Sequence, residues 1–407
     1  MCKLFNEYFW QIMTLLIVKT KILELQTMRI ENLLWILLLL FCTISCVDKY
    51  MPELDKYENL LVVDGLLTNG SDPIVVRLSI ASPVNNEKFI PVGGGGLFIT
   101  DDNQVMVQHL LETVPGTYKA ADTSFRGQVG KGYQLHINLP NGQSYISDVC
   151  RLNAPAPIDS VFGILESPDN SENDNDFPGI QFYVENHSEV NDSCYYLWRL
   201  SETYKYRSDF DIDYTWEGEF IPYPDPDSLR TCWRTTKVDE ILFASTKYLG
   251  PTAINQFPLH FVSTATKRLS IKYSVLVKQL SISEGTFNFY NAIKEQNIEQ
   301  GDMWAQQPFQ ILGNMHDANN PDKPVLGYFI VAGTTEKRIF VDRPPLEFYY
   351  DICPPDFDLR FIEFEPEGSW PIYIDDIMFL GWAMADERVC FDCRLEGGSL
   401  SAPEFWE

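Results

Sequence analysis

Cys390-Phe391-Asp392-Cys393 holds the two most closely spaced cysteines in the chain. Two cysteines at this spacing serve a redox centre, half of a zinc site, or disulfides. A redox pair opens a helix beside a βαβ unit, which this tail lacks, and zinc needs a second ligand pair that the sequence does not offer. Structural disulfides are expected, within the motif or from it to Cys353 or Cys232. Beyond Cys46 the thiols are Cys150, Cys194, Cys232, Cys353, Cys390 and Cys393, too many for the connectivity to be read from sequence. The histidines, at 109, 136, 187, 260 and 316, form no close ligand pair, and there is no Gly-x-Ser-x-Gly elbow. No catalytic residue, cofactor or zinc ligand is therefore assigned.

Two weaker patterns invite the same test. Asp174, Asp176, Gly179 and Glu185 fall at positions 1, 3, 6 and 12 of an EF-hand loop. Position 5 is Pro178, however, and Ile180 to Val184 has the pattern of a strand, so an acidic solvated loop is the better reading of this calcium candidate. Gly93-Gly94-Gly95-Gly96 leads into Leu97-Phe98-Ile99-Thr100, without the Gly-Lys-Ser/Thr and helix that a phosphate loop requires, and is expected to be a flexible turn.

The elements that would position such residues are strands. Leu60-Leu61-Val62-Val63 and Ile74 to Ile80 are β-branched runs. Tyr133 to Leu139 alternates apolar and polar side chains, then Pro140-Asn141-Gly142 leads into Gln143-Ser144-Tyr145-Ile146, a hairpin in which Asn-Gly suits positive φ at both central residues. His136 lies on its polar face and is expected in solvent. Several short strands in residues 60–152 imply an immunoglobulin-like β-sandwich, ended by Asn153-Ala154-Pro155-Ala156-Pro157. Residues 153–407 form a larger β-rich domain. Its strands include Ile180 to Glu185, Ile271 to Val277, and Tyr328 to Val331 turning back into Arg338 to Val341. One helix is expected from Glu284 to Glu299, capped by Ser283 and ended by Gly301. The fold class is mainly β.

Ahead of these elements lies an address. Met28-Arg29 introduces the apolar stretch from Leu33 to Ile44, too short to span a bilayer, and Thr43-Ile44-Ser45-Cys46 resembles a bacterial lipobox. Residues 1–45 read as a signal peptide, with translation starting at Met28, Cys46 as the lipid-attachment residue, and 46–59 as a polar tether. Export to an oxidising compartment agrees with disulfides. The chain has 407 residues, with 57 Asp and Glu against 31 Lys and Arg, for a net charge of -26. Nucleic acid, whose phosphates demand basic surfaces, is excluded as a partner. The aromatic residues, 14% of the chain, are enough to fill β-sheet cores and argue against disorder.

An ordered set of stretches resembles the lipoprotein family of Bacteroidota catalogued as domain of unknown function 4249. They are Leu61-Val62-Val63-Asp64-Gly65, Tyr133 to Asp148, Ile158-Asp159-Ser160, Cys232-Trp233, Gly301-Asp302-Met303-Trp304 and Ile311-Leu312-Gly313-Asn314. Pro324 to Phe329, Lys337-Arg338-Ile339-Phe340, Cys390 to Arg394, Gly397-Gly398 and Pro403-Glu404-Phe405-Trp406 complete the set. The resemblance carries over no catalytic residue. It implies an outer-membrane lipoprotein, on the periplasmic or the cell-surface face, that acts as an accessory or ligand-capturing partner of a TonB-dependent receptor in nutrient uptake. An envelope hydrolase with dispersed carboxylates and a purely structural envelope protein are the alternatives.

Overall fold

Alternating apolar and polar side chains run through most of the chain, and the computed structural model turns them into strands. It describes residues 60–81, 89–167, 176–187, 194–247, 253–299, 311–385 and 387–406. The signal peptide with Met28, Cys46, the tether, Asp174 and the Gly301 to Trp304 stretch lie outside these residues.

The strands of the first part are β1 (Leu61–Thr68), β2 (Val75–Ile80), β3 (Ile90–Pro91), β4 (Gly96–Asp101), β5 (Met106–Val114), β6 (Thr117–Ala120), β7 (Gly132–Asn138), β8 (Ser144–Ser147) and β9 (Cys150–Arg151). Beyond the proline segment come β10 (Ser160–Glu166), β11 (Gly179–His187), β12 (Tyr195–Arg207), β13 (Tyr214–Trp216), β14 (Phe220–Pro222), β15 (Thr231–Ser245), β16 (Ala253–Ser263) and β17 (Lys272–Ile282). The helix α1 (Glu284–Glu299) follows, then β18 (Met315–Asp317), β19 (Leu326–Asp342), β20 (Ile372–Ile377) and β21 (Gly381–Ala383). The chain is mainly β, as expected.

Strand β19 is the spine. The turn expected between Val331 and Arg338 is absent, and residues 326–342 form one strand of 17 residues. Its first half, through Ala332, pairs in parallel with β1; its second half, from Gly333, pairs antiparallel with β17. Two partners of different direction hold the strand straight where Gly333-Thr334 alone would suit a turn. The sheet order β15-β12-β17-β19-β1-β2-β6-β5-β4-β7-β8-β18 therefore runs from one half of the molecule into the other without a break.

On the first side the strands curl around a single core. Leu61, Val63 and Leu67 of β1, Val76 and Leu78 of β2, Tyr118 of β6, Leu97 and Ile99 of β4, and Leu135 and Ile137 of β7 all point into it. Met315 of β18 and Phe329 and Val331 of β19 join the same core. The sheet comes back on itself at Asn314. Its side-chain amide donates to the Phe329 carbonyl (2.9 Å) and accepts from the Phe329 amide (2.8 Å), the bonds a neighbouring strand would make. Residues 60–152 supply most of this sandwich-like wall and residues 311–332 close it.

The β7–β8 hairpin forms as expected, but only Gly142 has positive φ (+85°). Pro140, with its fixed negative φ, occupies the first central position of a turn closed by Gly142 N–H to the Leu139 carbonyl (3.0 Å). Gly142 then takes the left-handed bulge position of a three-residue loop.

On the second side β10, β11 and β16 form a separate sheet that packs across β12, β17 and β19. Phe182 stacks on Tyr273 (5.3 Å between centroids) and Trp198 on Phe257 (4.5 Å). The opposite face of β12 and β17 carries Leu197, Leu280 and Ile282, on which Phe287 and Tyr290 of α1 rest. Ser283 caps the helix, its Oγ accepting from Thr286 N–H (3.2 Å), as expected. A smaller sheet, ordered β14-β13-β20-β21, completes the fold.

The proline segment is stitched to this frame. The Gly333 Cα lies so close beneath it that an added Cβ would sit 2.4 Å from the Asn153 carbonyl oxygen. Asn153 Nδ2 donates to the Ile282 carbonyl (2.9 Å), Ala156 N–H to Ser281 Oγ (3.0 Å), and Thr335 Oγ1 to the Ala156 carbonyl (2.8 Å).

Candidate functional site

The cysteines of the tail are paired, and neither bond is local. Cys232 bonds to Cys393 and Cys353 to Cys390, across 161 and 37 positions of sequence. Cys150 and Cys194 are not in disulfides. Burial pushes the Cys150 thiol up to about 12, against the opposing hydrogen bond from Asn314 (3.0 Å). A thiol held protonated is no nucleophile. His316 of β18 bonds through Nε2 to Asp148 Oδ1 (2.9 Å).

Two acids of the calcium pattern, Asp176 and Glu185, lie among the described residues. Asp176 is exposed in the approach to β11, while Glu185 sits on that strand and accepts from Ser160 Oγ (2.7 Å). Among the described residues no cluster of three or more His, Cys, Asp and Glu has metal-site geometry. The glycine tract is held rather than loose: Gly94 N–H donates to Glu112 Oε2 (2.8 Å) and Gly95 N–H to Tyr118 OH (3.0 Å). Hydrogen bonds from Gly94 and Gly116 hold the Glu112 carboxyl below its ordinary range. Amides that could cradle a phosphate are thus filled by the protein's own carboxylate and tyrosine hydroxyl. His136, expected in solvent, stacks flat on Phe98 (4.6 Å, 3°) and bonds Thr100 Oγ1 (3.0 Å), because its cross-strand partner is an aromatic ring.

Sequence reasoning missed the strongest polar cluster. Glu202 of β12 is 8% exposed, between the two sheets of the second core. Its Oε1 accepts from Thr236 Oγ1 (2.9 Å), and its Oε2 from Tyr273 OH (2.9 Å) and Arg268 Nη1 (3.2 Å). His260 of β16 places Nε2 3.7 Å from Glu202 and Nδ1 2.8 Å from Glu240 of β15. Burial alone would raise the Glu202 carboxyl; His260, Arg268, Tyr273 and Thr236 outweigh it and hold it at about 2. Burial likewise opposes protonation of His260, and its bonds to Glu202 and Glu240 outweigh that and raise it. A carboxylate so fully hydrogen-bonded is a poor general base. The arrangement is suited to clamping one sheet onto the other.

The second concentration of chemistry is on the small sheet. A cavity of about 400 Å³ is lined by Pro371, Ile372, Tyr373, Met384, Arg388 and Phe391, among others. Arg388 turns its guanidinium to the Ser369 carbonyl (2.5 Å). Nearby, Asp211 N–H bonds Asp375 Oδ2 (3.1 Å), and Asp376 N–H bonds Asp213 Oδ2 (2.8 Å). Burial, with the charges of Asp211 and Asp213, lifts Asp375 to about 6.

The stretches singled out in the sequence meet in pairs. Leu61 to Gly65 lies alongside Leu326 to Phe329 in the parallel ladder. Gly313 and Gly327 touch backbone to backbone, with no room for a Cβ on Gly313, beside the Asn314 to Phe329 closure. Arg338 stacks on Phe405 (3.5 Å) and Phe340 meets Trp406 edge-on (5.6 Å). Cys232-Trp233 holds Cys393 by its disulfide and Ser399 by a pair of 2.8 Å backbone bonds.

Residues 47–338 match the family described as domain of unknown function (DUF4249). The chain belongs to that family. The match covers the spine as far as Arg338 and both sides of the Gly65 and Gly313 seams, whereas each seam with the tail has at least one side beyond it. The small sheet strands β20 and β21, and the Cys353–Cys390 bond, lie beyond the DUF4249 match. No curated protein matches the chain.

Proposed function

We propose that this protein is a non-enzymatic envelope lipoprotein, held in the outer membrane through Cys46, that serves as an accessory or ligand-capturing partner of a TonB-dependent receptor. The observation that carries this reading is the pair of long-range disulfides. Bonds of this kind persist in an oxidising compartment, which an exported chain reaches and a cytoplasmic one does not. The lipobox-like segment before Cys46 supplies the anchor, and the family resemblance supplies the receptor. The absence of a role in catalysis is supported by how the polar groups are spent. Glu112, Glu185 and Glu202 each accept hydrogen bonds from the protein's own donors.

Membrane fractionation of a Cys46→Ala variant tests the anchor: release to the soluble fraction is expected, and full membrane retention would refute it. Affinity isolation of the tagged wild-type protein from solubilised outer membranes tests the partnership. A co-isolated β-barrel receptor is the expected result; reproducible isolation without one would sink the reading.

A further inference from the structure

The β20–β21 hairpin ends in Met378-Phe379-Leu380, three large apolar residues that are 76%, 98% and 69% exposed. The turn is closed by Leu380 N–H to the Ile377 carbonyl (2.8 Å). Phe379, its third residue, has φ +66°. That position suits glycine or asparagine, and an aromatic residue there is strained. Burial returns nothing for the strain, since the ring touches solvent almost all round. The base of the hairpin is firm: Ile374 and Ala383 are buried, Trp382 packs on Tyr214 and Phe220, and Asp356 pairs with Met384 close to the Cys353–Cys390 bond. A braced hairpin thus presents an aromatic residue at a cost to stability, the pattern of a feature kept for contact.

Charge indicates what it contacts. Asp375 and Asp376 stand immediately behind the turn, with Asp211 and Asp213 bonded to them. Arg230 pairs with Asp211 (2.8 Å), so the collar as a whole remains acidic. A second copy of this chain, with its net charge of -26, would bring like charge to the collar, and so would an anionic lipid surface. A basic rim would relieve the mutual repulsion of these carboxylates.

We propose that the Met378–Leu380 turn is a plug that seats in an apolar pocket ringed by Lys or Arg on an envelope protein. The proposal deepens the accessory reading by naming the contact surface, and rests on it in requiring a protein partner.

A photo-reactive benzoylphenylalanine placed at 379 of the full lipidated chain, irradiated in native cells, tests it. The expected result is one major protein adduct whose cross-linked peptide lies among apolar residues flanked by Lys or Arg. Reversing the collar with D375K and D376K should cut the adduct yield at least tenfold. Phe379→Gly, which relieves the strained φ, should leave the melting midpoint unchanged or higher while lowering co-isolation of that partner tenfold. An adduct with a second copy, with lipid, with an acidic surface, or with nothing would overturn the plug, as would undiminished co-isolation of the Phe379→Gly protein. If the wild type brings down a receptor while position 379 cross-links to nothing, the plug fails and the accessory reading stands. If position 379 cross-links to a basic-rimmed partner that is no receptor, the plug stands and the accessory reading fails.

Discussion

Glu202 puts a buried carboxylate between the two sheets of the second core. Tyr196, Trp198, Leu200, Tyr204 and Tyr206 are the inward register of β12, and Glu202 occupies the same register as their only acid. An acid in an inward position must be paired, and that rule was the available signal. Its partners come from β15, β16, β17 and the turn at Arg268, and no spacing in the sequence brings those together. The cluster makes stability pH-dependent in two directions. Glu202 titrates at about 2 in the folded chain against an ordinary 4.5, so its contribution is full above 4.5 and fades as pH falls towards 2. The difference amounts to about 3 kcal/mol. His260 is raised above 6.5, so its contribution is full below 6.5 and is lost as pH rises through its folded value. Glu202→Gln should therefore lower unfolding free energy at pH 6 by roughly 3 kcal/mol, the cost of breaking a buried pair. The variant should also flatten the acid limb of a urea-midpoint against pH plot, and an unchanged limb would mean that other carboxylates carry it.

At the scale of elements, strands, the capped helix and the hairpin were legible because each rests on local periodicity or local turn chemistry. The spine was not. Val331 to Arg338 contains a glycine and two threonines, which suit either a turn or an extended run, and only the partners of β19 decide between them. Those partners are remote in sequence. The proline segment was legible as a break in pairing, but its role as a strap over Gly333 depends on a contact of that same remote kind. Gly333→Ala is the sharp test. The new methyl would meet the Asn153 carbonyl oxygen and Pro155 nitrogen at 2.4 and 2.6 Å, both backbone atoms that cannot swing aside. Overpacking of this sort costs about 1–3 kcal/mol, and the upper end is expected here. Chemical denaturation reads it. Gly130→Ala, whose methyl would meet nothing within 4 Å but whose φ is +84°, isolates the cost of backbone strain alone and should be milder. Equal losses would show that the strap is not tight.

For the molecule as a whole, the tail decides how the halves of the sequence are held together. Its cysteines were legible as structural, but their partners were not, since pairing is fixed by a fold in which the tail crosses back over β15 and β19. The Cys232–Cys393 bond closes a loop of 161 positions and the Cys353–Cys390 bond one of 37. Loop-closure entropy values them at about 5 and about 4 kcal/mol, growing only with the logarithm of loop length. The first bond also fixes the segment that carries Ser399 to Trp233 and brings Phe405 over Arg338, so its loss should free the tail as well as relax the unfolded chain. The double variant C232S and C393S is therefore expected to lose more stability than C353S and C390S, by a margin larger than the difference in loop entropy. Both should be compared at one fixed ionic strength, because a chain of net charge -26 changes its self-repulsion with salt. Limited proteolysis distinguishes the two contributions: cleavage between Cys393 and Trp406 should accelerate in the first variant and not in the second. If the two variants lose equal stability and the tail stays protected in both, the stacking of Arg338 on Phe405 and the Trp233 to Ser399 bonds suffice to hold it, and the disulfide acts on the unfolded chain alone.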